Sequence, residues 1–218
     1  MTFPDTLLKG YHRFAKGRLN DERERYRTLA REGQRPSTMI IACCDSRAAP
    51  ETIFDMGPGE LFVVRNVANL VPPYEPDGGQ HATSAAIEFA VAGLGVTQIV
   101  ILGHGRCGGI AASLDPDGQP LSPGDFIGKW IGLLKPSAER VAQTDFLTPA
   151  ERQTAMERFA VRGSIERLRS FPLVTNAERE DKLSIHGAWF DIESGELWVL
   201  NSETGDFERP SREAVEAG

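Results

Sequence analysis

Apolar residues recur along the chain with two different periods. Residues 38–43, 61–65 and 97–102 are short, nearly continuous apolar runs of the kind that form buried strands. Residues 182–190 and 196–201 are two further β-type runs, and Glu193-Ser194-Gly195 between them signals a hairpin. The intervening stretches repeat with helical spacing. Residues 5–33 read as a helix capped by Asp5 and ended by Gly33. Leu7, Leu8, Tyr11 and Phe14 make an apolar stripe on it, suited to docking on the body or on a second subunit. The run from Asp21 to Arg27 reads as a solvated face with i,i+4 ion pairs. Pro50 starts a short helix that Gly57-Pro58-Gly59 breaks. A helix over residues 82–93 aims Ile87, Ala90, Val91 and Leu94 at the sheet and leaves Phe89 off the stripe. A helix follows Gly108. Residues 124–142, broken near Pro136, and 148–169 give two more. Asp115-Pro116-Asp117-Gly118 reads as a turn, and the last dozen residues as a frayed end.

Strands separated by helical stretches predict an α/β fold. The expected architecture is a central, mainly parallel β-sheet flanked by helices, with an N-terminal helical arm. The chain shows no internal repeat and no linker that demands a second domain. Its 218 residues suffice for one sizeable core. The expected division is an arm over 1–35, an α/β core over 36–205 and a tail over 206–218.

Two strand ends carry the chemistry. The run Met39–Ala42 enters Cys43-Cys44-Asp45-Ser46-Arg47, and Ile99–Leu102 enters Gly103-His104-Gly105-Arg106-Cys107-Gly108-Gly109. Ligands in open α/β sheets gather outside the carboxyl ends of the strands. A period of two puts Cys43 and Asp45 on one side of the extended chain and Cys44 on the other, as a bystander packed in the core. If the two strands are parallel neighbours, Cys43, Asp45, His104 and Cys107 converge. Thiolate, imidazole and carboxylate in tetrahedral array suit Zn²⁺, one ion per chain. Asp45 has two options: to fill the fourth metal position, or to pair with Arg47 in a bidentate contact that i,i+2 spacing permits. Gly103-x-Gly105-x-x-Gly108 also fits a dinucleotide-binding fingerprint, but a lone match is weak, and His104 and Cys107 inside it are better explained as ligands.

Composition narrows the partners. Net charge is −7, which opposes a nucleic-acid surface. Three cysteines make no secreted disulfide framework, and two of them serve better as thiolate ligands in a reducing compartment. No run approaches the roughly 18 apolar residues of a membrane span. Met1-Thr2-Phe3-Pro4-Asp5 has no basic segment followed by an apolar one. The expected location is cytoplasmic, away from membranes.

Cys43-x-Asp45-Ser46-Arg47 followed by His104-x-x-Cys107-Gly108-Gly109 resembles the β-class carbonic anhydrases. The match continues through Pro58-Gly59-Glu60, Phe62 to Asn69, Ala85 to Val91, Asp125-Phe126-Ile127 and Gly187 to Asp191. Leu70 to Tyr74 and Ser84 to Glu88 are similar to the plant-like branch. The resemblance implies a zinc enzyme that reversibly hydrates CO₂ to bicarbonate by a zinc-bound hydroxide. Cys43, His104 and Cys107 are then the ligands, and Asp45 with Arg47 the catalytic pair. Ser46 would support the loop. Phe62 and Val67 are implied in an apolar CO₂ pocket contributed by a neighbouring subunit, with Gln34 aimed at the substrate, Phe89 at the subunit interface and the Gly108 N–H facing a bicarbonate oxygen. A homodimer or higher assembly follows. Hydrolysis of COS or CS₂ on the same zinc is the alternative enzymatic reading, and a non-catalytic zinc protein is the third. A purely structural site needs no carboxylate with a switchable partner, so the Asp45–Arg47 pair opposes the third.

Three positions depart from the family pattern. Phe89 stands where the family usually has Tyr, removing a hydroxyl near the pocket. Gly93 stands where some relatives carry a proton-shuttling histidine; His81 is the only substitute on offer, and it reads better as an ordinary loop histidine. Ile40 replaces a Trp that helps some members bind a regulatory bicarbonate, leaving Arg65 alone in that role.

Overall fold

Strand β1 (Thr38–Cys43) is buried from Met39 onward on both faces, as a central parallel strand must be. The computed structural model describes residues 3–115, 117–142, 144 and 148–210. Beside β1 lie β2 (Leu61–Asn66) and β3 (Gln98–His104), both parallel to it, with Cys43 opposite Asn66 and Thr38 opposite Gln98. β4 (Ser184–Phe190) continues the parallel set against β3. β5 (Leu197–Leu200) and β6 (Phe207–Glu208) add two antiparallel strands. The sheet order is β2-β1-β3-β4-β5-β6. The chain steps outward from β1 to β2 and then returns to the other side of β1 for β3. The carboxyl ends of β1 and β3 therefore form a topological switch point, where a crevice opens.

The described helices are α1 (Asp5–Lys16), α2 (Arg18–Asp21), α3 (Arg23–Glu32), α4 (Pro50–Ile53), α5 (Ala82–Glu88), α6 (Gly108–Leu114), α7 (Phe126–Ile131), α8 (Lys135–Ala142), α9 (Pro149–Leu168) and α10 (Pro172–Arg179). None is long and apolar enough to cross a membrane. α9 is the longest. Thr148 accepts from the Glu151 N–H while the Glu151 carboxylate takes the Thr148 N–H, a reciprocal cap that starts it. Its Ala160, Val161, Ile165 and Leu168 are buried, and its closest packing partners in the sheet are β3 and β4.

Several expectations change. The helix expected over 5–33 is three segments, because the chain leaves helical geometry at Gly17 and at Glu22. The helix over 82–93 loosens after Glu88 into a π turn, Phe89–Leu94, with Ile87 and Ala90 fully buried beneath it. The break in 124–142 is a 3-10 turn at Gly132–Leu134, and Pro136 sits in the first turn of α8, where its missing N–H costs no helical bond. Helix α10 was not anticipated; Pro172 begins it. The sheet also runs past the expected core limit at 205: Phe207 is buried and pairs with Leu200. Pro116 of the expected turn and residues 211–218 of the expected tail lie outside the described residues.

Candidate metal centre

The two loops at the switch point bring Cys43, His104 and Cys107 together. One ligand atom from each lies within 4.8 Å of the others, and all three residues are buried. The two sulfurs are 3.9 Å apart. Two thiolates on one tetrahedral ion, each about 2.3 Å from it, would stand roughly 3.8 Å apart. His104 Nδ1 sits 2.9 Å from the Gly105 carbonyl, which can only accept, so this nitrogen carries the proton. Nε2 is left with a bare lone pair, and it is buried with no hydrogen-bond partner. A buried, orphaned acceptor facing two thiols is what a metal ion would satisfy. The donor set therefore fits a borderline-soft cation.

Local sequence builds this geometry. Arg106 adopts a positive φ of 58°, turning the chain from β3 into α6. Gly103 and Gly105 sit under bulky neighbours: a Cβ on Gly103 would lie 2.7 Å from Val161 Cγ2, and one on Gly105 would lie 3.2 Å from Trp189. Gly103 and Gly105 are thus required by close packing against α9 and β4. On the loop after β2, the Asn66 amide donates to the Leu70 carbonyl and accepts from the Leu70 N–H. That pair holds the turn Val67–Asn69, in which Ala68 has φ 64° and gives its N–H to Cys43 Sγ at 3.4 Å. Arg65 braces the Cys43 loop with Nε on the Cys43 carbonyl at 2.9 Å and Nη2 on the Asp45 carbonyl at 2.6 Å.

Hydrogen bonding from Cys107, with the backbone N–H groups of Asp45 and Ala68 acting the same way, overcomes burial and brings the Cys43 thiol down. The Cys107 thiol moves up, because it hydrogen-bonds to Cys43 and is itself buried. A metal ion here would take both sulfurs as thiolates and release their protons.

Asp45 lies at the rim. Its Oδ1 accepts from Arg47 Nε at 2.9 Å and its Oδ2 from Arg47 Nη2 at 2.7 Å. The Arg47 guanidinium holds the Asp45 carboxyl well below the usual carboxylate range. Arg47 Nη2 also reaches the Arg106 carbonyl at 3.1 Å, so one side chain ties the two ligand loops. Asp45 Oδ2 stands 3.9 Å from His104 Nε2.

The remaining expected residues divide into two groups. Val67 packs in the same apolar cluster as Cys43 and Cys107 of its own chain, so it needs no neighbouring subunit to reach them. It also lines a cavity of about 480 Å³ with His81, Phe126 and Trp130. His81 there is hydrogen-bonded to Asp77 at 2.7 Å. Gly108 opens α6, and a Cβ there would meet nothing within 4 Å. Gln34 is exposed in the loop after α3. Phe62 and Phe89 pair with each other, rings 5.8 Å apart, and Phe89 stays 52% exposed. Ser46 is exposed. Cys44 is exposed rather than packed in the core, since β1 ends at Cys43 and the chain turns outward.

One group was missed. Glu157 on α9 is 2% exposed and lies directly behind Cys107. Its Oε1 accepts from the Cys107 N–H and from Gln153 Nε2, each at 3.0 Å, and its Oε2 accepts from Trp189 Nε1 at 3.1 Å. Burial pushes this carboxyl up, and the three donors oppose that. The available signal was phase: Glu157 falls in register with Val161, Ser164 and Leu168 on the buried face of α9.

The carbonic anhydrase family profile matches residues 38–197. The chloroplastic β carbonic anhydrase 5 of Arabidopsis thaliana is 36% identical over 86% of this chain and 62% of its own length. A carbonic anhydrase of Pseudomonas aeruginosa is 34% identical over 96% of this chain and 94% of its own length. Among solved structures, the β-carbonic anhydrase CcaA superposes with a TM-score of 0.87 at 27% identity, covering 95% of this chain and 92% of that one. A structure from work on two tetrameric β-carbonic anhydrases of Sordaria macrospora gives 0.78 at 33% identity, covering 90% of this chain and 95% of that one. The chain belongs to the carbonic anhydrase family, in its β class.

Proposed function

We propose that this chain holds one Zn²⁺ on Cys43, His104 and Cys107 and catalyses the reversible hydration of CO₂ to bicarbonate and a proton. The observation that carries the reading is the buried convergence of two sulfurs and one unpartnered imidazole nitrogen beneath an Asp–Arg pair. Bound zinc would supply a Lewis acid that lowers the pKa of water toward neutrality. Asp45, kept ionised by Arg47, accepts a hydrogen bond at the open side of the centre and so selects a protonated donor there. Arg47 keeps that carboxylate turned from the ligands and fixes the loop spacing through Arg106. Val67 offers CO₂ an apolar wall, and the Gly108 N–H faces a bicarbonate oxygen.

We assign Gln34, Phe62 and Phe89 to the site of a second copy, a place that the exposed Gln34 and Phe89 suit. The exposed apolar residues of α1 and of the segment before it, Phe3, Leu7, Leu8 and Tyr11, favour such self-association as a homodimer or larger assembly. Free thiols at Cys43, Cys44 and Cys107 favour a reducing compartment, the cytoplasm.

Stopped-flow assays of CO₂ hydration beside COS and CS₂ hydrolysis test the reaction. Hydration well above both hydrolyses is expected. Hydrolysis of COS or CS₂ without hydration would reassign the substrate, and no turnover of any of the three would leave a non-catalytic zinc protein.

A further inference from the structure

We propose that Glu157 is a positioning residue of the metal centre, holding Cys107 in ligating register through the backbone N–H of that cysteine. The inference rests on the zinc reading above. Cys107 is the last residue before α6, and its N–H, at a helix start, has no helical acceptor of its own. Glu157 supplies the acceptor from a different element. Gln153, one turn earlier on α9, donates to the Cys107 carbonyl at 3.3 Å as well as to Glu157. Both polar groups of the Cys107 peptide framework are therefore fastened to one face of α9. Trp189 on β4 closes the arrangement, donating its indole N–H to the other oxygen while its ring lies against Gly105.

The carboxylate thus cross-links the β3–α6 loop, α9 and β4. The Cys43 loop has its own braces in Arg65 and the Ala68 N–H, and His104 is fixed by the Gly105 carbonyl. Within its own segment the Cys107 carbonyl accepts from the Ala111 N–H and the Gly109 and Ile110 N–H groups face its sulfur, but its own N–H is taken up from outside, by Glu157. A buried carboxylate 2% exposed is a costly way to hold a helix in place, since an apolar residue would fill the volume without desolvation. Its three donors match an acceptor-only group, and one of them belongs to a ligand residue.

The test compares variants of the full chain that fill the same volume. Trp189→Phe is the reference, because it removes the indole donor that an amide at 157 would oppose. Added to it, Glu157→Gln keeps an oxygen for the Cys107 N–H, and Glu157→Leu keeps none. Zinc affinity is read by competition with a chromophoric chelator, and ligand geometry by the thiolate-to-metal absorption of the cobalt-substituted protein. The glutamine pair is expected within about threefold of the reference, and the leucine pair 10–100-fold weaker with an altered cobalt spectrum. Equal affinities and spectra in the two pairs would overturn the proposal, as would equal losses in both. If the leucine pair does not fold, the glutamine pair decides: affinity within about threefold of the reference supports the proposal and a tenfold or larger loss overturns it. A wild-type protein with no thiolate-to-cobalt band would instead fail the zinc reading, and this inference with it.

Discussion

Asp45 and Arg47 face each other in a two-pronged ion pair, Oδ1 to Nε at 2.9 Å and Oδ2 to Nη2 at 2.7 Å. The arginine is half exposed, and an ordinary surface pair of that kind contributes little to stability. Its value lies in direction. The fork fixes which way the carboxylate points, and the third contact, to the Arg106 carbonyl, sets the carboxylate relative to the second ligand loop.

The two residues should therefore behave as a unit. Arg47→Ala is expected to lower kcat/KM for CO₂ hydration by on the order of 10–100-fold while zinc content stays near one per chain. Asp45→Ala should cost a similar factor, and the double variant little more than either. Stopped-flow rates on the three variants check this. Fully additive losses would show that the residues act independently.

Gly108 and Gly109 should differ in stability despite being neighbours. A Cβ on Gly109 would lie 2.6 Å from Val67 Cγ1 and 3.2 Å from Ala68 Cβ, whereas one on Gly108 meets open space. Overpacking of this kind costs about 1–3 kcal/mol. Thermal melts should show Gly109→Ala clearly destabilised and Gly108→Ala near wild type. The reverse order would mean that the Val67–Asn69 turn does not sit against α6 as described.

The arm gives a test of assembly. Leu7 and Tyr11 are 58% and 59% exposed on one face of α1, and no residue of that helix is buried. Leu7→Glu with Tyr11→Glu is expected to shift sedimentation toward the monomer and to reduce hydration with it, since Phe62 and Phe89 would lose their place at a second site. An unchanged assembly would remove the arm from the interface.

Bicarbonate should inhibit without cooperativity. Ile40 is buried in β1 and offers no side-chain N–H, and Arg65 already commits Nε and Nη2 to the carbonyls of Cys43 and Asp45. A ligand without differential affinity for a second state cannot shift the population toward it. Hydration rates against bicarbonate are expected to follow a one-site curve. A sigmoidal curve would point to a pocket built from other residues.

The strand ends were legible because two apolar runs terminate abruptly in residues with no place in a core. Parallel pairing then required their loops to share an edge. The arm was misread as one helix because the breaks at Gly17 and Glu22 lie in a polar stretch, where periodicity carries little signal. The position of Cys44 was misread because alternation was carried one residue beyond the end of β1. Glu157 was invisible for a different reason. A glutamate in a helix ordinarily reads as solvent-facing, and only its phase with Val161 and Leu168 marks it as buried. Gln34, Phe62 and Phe89 could not be joined to the centre by spacing at all, since they lie in other segments and only the family resemblance connected them with it.

The most direct measurement of the central claim is a zinc titration of metal-free protein followed by CO₂ hydration rate. The rate should rise linearly and stop at one zinc per chain. Cys43→Ser and Cys107→Ser should stay flat, because a neutral hydroxyl replaces a thiolate ligand poorly, while Cys44→Ser should follow wild type. Hydration that is independent of zinc, or a Cys43→Ser protein that titrates like wild type, would contradict the account.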